Sequence, residues 1–194
     1  MPGPLPLILA SASPRRVELL SEAGFDFEVR IPDVDEDDDP SLTCEALTLE
    51  NARRKAQFIS MREKQALIIA ADTLVYLDEI PFGKPYDLSH AAAMLRTLSG
   101  RTHTVCTGVA LLCVEKNINH SFAVRSEVTF KTLNDNIIRE YHSRIQPLDK
   151  AGAYAVQDES AMIIESVVGS WSNVKGLPME RLTEELAQLL NPAS

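Results

Sequence analysis

The sequence predicts an α/β fold built on a mixed β-sheet with flanking helices. Two observations carry that prediction. Apolar strand-like runs and helix-period segments intermingle along the chain, without the strict strand–helix–strand alternation of an all-parallel sheet. Hydrophobic residues make up 45% of the 194 positions, ample for a sizeable core. The length suits one domain or two intimate lobes, and no linker, repeat or low-complexity tract divides it. Residues 1–194 therefore read as a single domain.

The elements follow in order. Leu5–Ala10 reads as a buried strand. Ser13 is a natural N-cap, Pro14 suits the first helical position, and Gly24 ends the helix. "FDFEVRI" alternates with period two, which predicts a half-buried strand with Phe25, Phe27, Val29 and Ile31 on one face. "PDVDEDDDP" is an acidic loop bracketed by prolines, and residues 42–63 form a long helix. "ALIIAADTLVYL" is a continuous apolar strand with one charge, Asp72, in its middle. "EIPFGKP" reads as a turn. Asp87 or Ser89 caps a helix that runs to about Leu98 and stops at Gly100. Strands near 102–114 and 121–131 follow, then a helix capped by Thr132 or Asn134 that runs to about Ile145. "DKAGAYAVQ" is a glycine-containing loop or short strand, "AMIIESVVGSW" a strand, and "LPMERLTEELAQLL" a terminal helix.

Composition excludes some functions. A net charge of −9 repels a nucleic-acid backbone, so duplex binding is disfavoured. No apolar run nears the ~20 residues of a membrane span. The start has no basic region ahead of its apolar run, so no signal peptide is expected. Cys44, Cys106 and Cys113 form neither a CxxC nor an even framework, which points to reduced thiols in a cytosol.

A few residues invite chemistry. "SASPRR" places Arg15 and Arg16 at the start of a helix, where the free backbone N–H groups and the dipole attract an anion. Guanidinium groups add donors matched to phosphate oxygens. The plainer reading is a capped helix with two solvated arginines. A carboxylate inside an apolar strand is costly unless paired, so Asp72 marks a metal, a catalytic base or a buried hydrogen bond. Haloacid-dehalogenase-type phosphotransfer is set aside, because its second aspartate would fall at Ala70. Lys55 falls at the border of the stripe Ala52, Ala56, Ile59, from which it could reach a cleft or simply snorkel to the surface. Lys84 sits in a rigid turn. The acidic loop has oxygen ligands for a hard cation but lacks the EF-hand order, so most of its charges read as solvated. The four histidines show no ligand spacing and read as structural. Trp171 reads as core packing.

Together these segments resemble the Maf family, cytosolic nucleoside triphosphate pyrophosphatases once described as septum-formation inhibitors. The matching pieces, in order, are "LILASASPRR", "DVDE", "ARRKA", "AADT", "GKP", "LSGRTHTVCTGV", "DKAGAYAVQ" and "GLP". The resemblance implies two intimate lobes around a cleft, the Maf/inosine triphosphate pyrophosphatase-like fold. It implies metal-dependent hydrolysis between the α- and β-phosphates, giving a nucleoside monophosphate and pyrophosphate. Arg15, Arg16, Lys55 and Lys84 then look like substrate contacts, and Asp72 like the general base. Thr73, Arg15 and Gln157 resemble the trio that marks the subfamily acting on dTTP and UTP. The metal, Mg²⁺ or Mn²⁺, would be held by Asp72 and by Asp35 or Glu36. Aspartate stands at 35 where the family usually has glutamate, and glutamate follows it. Trp171 and Lys175 stand where a tyrosine and an apolar residue are usual. A cytoplasmic homodimer without membrane or nucleic-acid partners completes the implied picture. The alternative is a nucleotide-binding regulator of cell division acting through a protein partner. Such a binder needs the cations but not Asp72.

Overall fold

The structure, a computed structural model, describes residues 5–39, 41–156 and 159–190. One seven-stranded sheet organises it, in the order β2-β1-β3-β5-β6-β7, with β4 also paired to β3. The strands are β1 (Leu7–Ala10), β2 (Glu28–Arg30), β3 (Leu67–Leu77), β4 (Ile80–Phe82), β5 (Thr102–Cys113), β6 (Ile118–Phe130) and β7 (Ile164–Val168). β1 runs parallel to β2 and β3, and the other pairings are antiparallel. The mixed sheet is as the sequence predicts.

The helices are α1 (Pro14–Glu22), α2 (Cys44–Ser60), α3 (Leu88–Leu98), α4 (Asp135–Arg144), α5 (Trp171–Lys175) and α6 (Met179–Leu190). Their caps follow the local chemistry. Thr43 accepts from the Ala46 N–H, Asp87 from the His90 N–H, and Asn134 from the N–H groups of Asn136 and Ile137. Ser13 occupies the N-cap of α1, but its hydroxyl makes no capping bond.

Period-two alternation divides β3 between two faces. Ile68 and Ala70 pack on α2 with Ala52, Ala56 and Ile59. Leu67, Ile69 and Ala71 pack beneath α1 and α6 with Leu19, Leu20, Leu182 and Leu186. Further along, Val75 and Leu77 join a second core with Leu95, Leu98, Phe130, Ile138 and Tyr141 from α3, β6 and α4. β3 thus passes from one lobe, cored on both faces of the sheet, into a second lobe cored by α3, β6 and α4.

Four expectations are corrected. Phe25 and Phe27 are partly buried against the first core, but strand β2 covers only three residues, and Val29 and Ile31 are 38% and 67% exposed. As an edge strand with no layer over that face among the described residues, β2 does not bury them. "EIPFGKP" is not simply a turn: Ile80–Phe82 pairs back on β3 as β4. The reversal uses Asp78 and Glu79 at φ of 52° and 63°, a left-handed pair without the glycine that would announce it. α5 was not expected, because its five residues are too few for a periodic signal. Trp171, on α5, is 49% exposed and is not core.

Candidate active site

The site arises where β3 loses a neighbour. β1 leaves β3 after the Ala10–Ala70 pair, and β4 joins only at Val75–Phe82. Between those registers, Ala71 to Leu74 has β5 on one side and no strand on the other among the described residues. At this open edge lies a cavity of about 460 Å³. Side chains from both faces of β3 can therefore reach it. Asp72 projects on the α2 face and Thr73 on the opposite face, and both line the cavity.

On the α2 face, Lys55 Nζ donates to Asp72 Oδ1 at 2.7 Å and to Glu36 Oε1 at 2.7 Å. Asn51, one turn before Lys55, donates from Nδ2 to Asp72 Oδ2 at 3.3 Å. The buried Asp72 charge is thus compensated at both oxygens, which removes the cost of isolating it. Burial raises the Glu36 carboxyl, but the charge and hydrogen bond of Lys55, with Lys84 and Arg16 beyond, outweigh that and hold it below its usual value. α2 can approach this closely because Gly108 stands opposite Asp72 on β5. A Cβ there would lie 2.5 Å from the Thr48 backbone.

On the other face, Arg16 is partly buried and ties three segments together. Nε donates to the Gly176 carbonyl at 2.8 Å, Nη2 to Thr73 Oγ1 at 3.0 Å, and Nη1 to Ser11 Oγ at 3.3 Å. Gly176, at φ 116°, ends α5 in the left-handed region, which turns its carbonyl into this contact. Thr73 also lies 2.9 Å from Thr107 Oγ1 and 3.3 Å from the Gly176 oxygen. Desolvation lowers the Arg16 pKa, opposed by the charge of Asp72. A guanidinium keeps its proton under that pressure.

Of the predicted residues, Arg15, Arg16, Glu36, Lys55, Asp72, Thr73 and Lys84 converge on this cavity. Asp35 does not line it and is exposed, whereas Glu36 reaches Lys55. Gln157 lies outside the described residues. The sequence reading missed Asn51, Lys150 and, as a cavity-lining group, Lys175. An asparagine four residues before Lys55 on an alanine-rich buried face was the available signal for the first.

Six cationic side chains and three acidic ones line the cavity, although the whole chain is acidic. The start of α1, Ser13 to Arg16, forms part of the wall. Cations, a helix N-terminus and a paired buried carboxylate make this a site for a polyanion of the phosphate class. The sequence profile of the family described as Maf-like protein matches residues 6–189. The chain belongs to that family. It is 46% identical over 176 residues to the dTTP/UTP pyrophosphatase of Akkermansia muciniphila, covering 90% of this chain and 91% of that one. It is 40% identical over 181 residues to the dTTP/UTP pyrophosphatase of Desulfotalea psychrophila, covering 93% of each. Among solved structures, a HAM1 protein from Coxiella burnetii superposes with a TM-score of 0.44 at 18% identity, over 65% of this chain and 73% of that one.

Proposed function

We propose that this protein hydrolyses dTTP and UTP to the nucleoside monophosphate and pyrophosphate. The carrying observation is the Glu36–Lys55–Asp72 cluster at the open edge of β3, facing a cationic cavity. Full-length relatives named as dTTP/UTP pyrophosphatases support the choice of nucleotide.

The chain's residues divide the work. Arg15 and Lys84 line the cavity and bind phosphate oxygens. Asp72 takes the proton of the attacking water, whose oxygen bonds to the α-phosphorus as the bridge to the β-phosphate breaks. Pyrophosphate leaves with the bridging electrons. Lys55 holds the Asp72 carboxylate in place through a hydrogen bond to Oδ1 and offers charge to the phosphate chain. Arg16 fixes the walls, because three of its donors already serve protein acceptors.

Glu36 and Asp72 present oxygens to one ammonium, so they converge on a small volume. Among the described residues no cluster of three or more acidic, histidine or cysteine side chains forms a metal cage. Two convergent carboxylates with phosphate oxygens nearby fit Mg²⁺ or Mn²⁺, which binds through few carboxylates and keeps its waters. Bound there by Glu36 and Asp72, the cation would neutralise phosphate charge and polarise the phosphoryl oxygen.

The test is a panel of nucleoside triphosphates with Mg²⁺ or Mn²⁺, resolving pyrophosphate from orthophosphate. Pyrophosphate release fastest with dTTP and UTP, abolished by EDTA and restored by the metal, is the expected result. Orthophosphate as the first product, or 7-methyl-GTP as the best substrate, contradicts the proposal.

A further inference from the structure

We propose that Asn51 is a positioning residue that clamps the acidic loop and the Asp72 carboxylate into a single arrangement. The proposal rests on the reading of the cavity as a triphosphate-hydrolysing site.

Asn51 lies in the middle of α2 and is buried. Its amide makes three bonds, and all of them leave the helix. Oδ1 accepts from the Asp37 N–H at 2.6 Å. Nδ2 donates to the Asp37 carbonyl at 3.0 Å and to Asp72 Oδ2 at 3.3 Å. The pair of bonds to one residue's backbone imitates a rung of a sheet ladder. Among the described residues no strand pairs with the loop around Asp37, and the asparagine supplies a donor and an acceptor to its backbone.

Position 37 adjoins Glu36. Fixing the Asp37 backbone therefore fixes where the Glu36 side chain starts, and Glu36 shares Lys55 with Asp72. Arg54 adds a second strap through Asp37 Oδ2 at 2.7 Å, on the more exposed side. Asp72 is meanwhile held at Oδ1 by Lys55 and at Oδ2 by Asn51. A carboxylate held through both oxygens cannot swivel. Asn51 thus touches the loop and the base at once, and it sets the distance between the two carboxylates.

A buried asparagine that served packing alone would satisfy its amide locally or be replaceable by leucine. Asn51→Leu, with the same branched skeleton but bulkier methyl ends, removes all three bonds. Asn51→Ser is smaller, and its hydroxyl is too short to span the same partners. Two measurements decide the matter. The first is hydrogen exchange of the Asp37 amide in the protein without nucleotide or metal. The second is the split between kcat and KM for dTTP, measured well below each variant's melting temperature.

The expected result is Asp37 exchange faster by ~10-fold or more, and kcat lower by ~10-fold or more, with KM within ~3-fold, because misplacing a base costs turnover rather than affinity. Unchanged exchange and unchanged kcat in either folded variant overturn the proposal. So does a raised KM with kcat unchanged, which would make Asn51 a substrate contact. If Asn51→Leu does not fold, Asn51→Ser carries the same test. Failure of the unmodified protein to release pyrophosphate from dTTP would instead sink the hydrolytic reading, and the exchange measurement still decides the clamp.

Discussion

Asp72 and Thr73 are adjacent in sequence and do different things in the same cavity. Asp72 meets an ammonium at one oxygen and an amide at the other, which fixes its carboxylate at the cavity wall. Asp72→Asn preserves volume and removes the proposed base. Turnover should fall by ~10²–10⁴ with the melting temperature little changed, as pyrophosphate release and thermal unfolding will show. Thr73 is held among Arg16, Thr107 and Gly176. Its hydroxyl is engaged by protein, so a role in substrate choice would run through Arg16 and the turn after α5. Thr73→Val leaves a half-buried guanidinium donor without its acceptor, costing about 1 kcal/mol of stability. Thr73→Ser keeps the oxygen and should restore most of that loss. Equal stability of the valine and serine variants in chemical denaturation would contradict this role.

α2 is the element on which the site depends. It carries Asn51, Arg54 and Lys55 at i, i+3 and i+4 of one turn, and brings Asn51 and Lys55 to Asp72 on β3 and Arg54 to Asp37. Its closeness to the sheet is permitted by Gly108. A Cβ at that position meets the backbone of Thr48 and Leu49 at 2.5–2.6 Å, and helix backbone cannot step aside as a flexible side chain can. Gly108→Ala must therefore push α2 outward. The overpacking costs about 1–3 kcal/mol, seen as a lower melting temperature. Because Lys55 and Asn51 travel with the helix, kcat should fall further than the lost stability explains. A variant that loses stability but keeps full kcat would show that the α2–β3 spacing is not critical.

At the scale of the whole molecule, the lobe containing α3 and α4 has a titratable group in its core. His103 is 2% exposed, with Nε2 2.7 Å from the Tyr154 hydroxyl and its ring edge-on to Phe130 and Tyr154. Desolvation pushes its pKa down to about 4 from an ordinary 6.5. Above pH 6.5 the group is neutral in both states and contributes no pH dependence. As pH falls from 6.5 to 4, the unfolded chain takes a proton that the folded chain refuses. Stability is lost across that window, on the order of 3 kcal/mol in total. For a chain of this size that corresponds to roughly 6–12 °C in melting temperature. His103→Gln should show a correspondingly shallower decline between pH 7 and pH 4. Parallel declines for the two proteins would mean that the histidine is not the acid-sensitive group.

Much of the site was legible in the chain because its signals are local. A charge inside an apolar run marked Asp72, and cations at a helix start marked Arg15 and Arg16. The rim of an alanine stripe marked Lys55, and the order of short motifs marked the family. Each depends on neighbours within a few residues, and periodicity is enough to read them. The choice between Asp35 and Glu36 was not legible, because it depends on which carboxylate the folded loop turns toward Lys55. Nor was β4, whose reversal uses Asp78 and Glu79 in a conformation usually announced by glycine. Asn51 looked like any polar residue until the fold set Asp37 and Asp72 beside it. The meeting of Asp72 and Thr73 in one cavity was least legible of all. Alternation along a strand sends adjacent side chains to opposite faces, and period two alone separates them. They share a site because β1 stops at Ala10 while β3 runs on, leaving an edge that both faces can reach around. Where one strand ends beside another is a property of the assembled sheet, so only the tertiary structure could decide it.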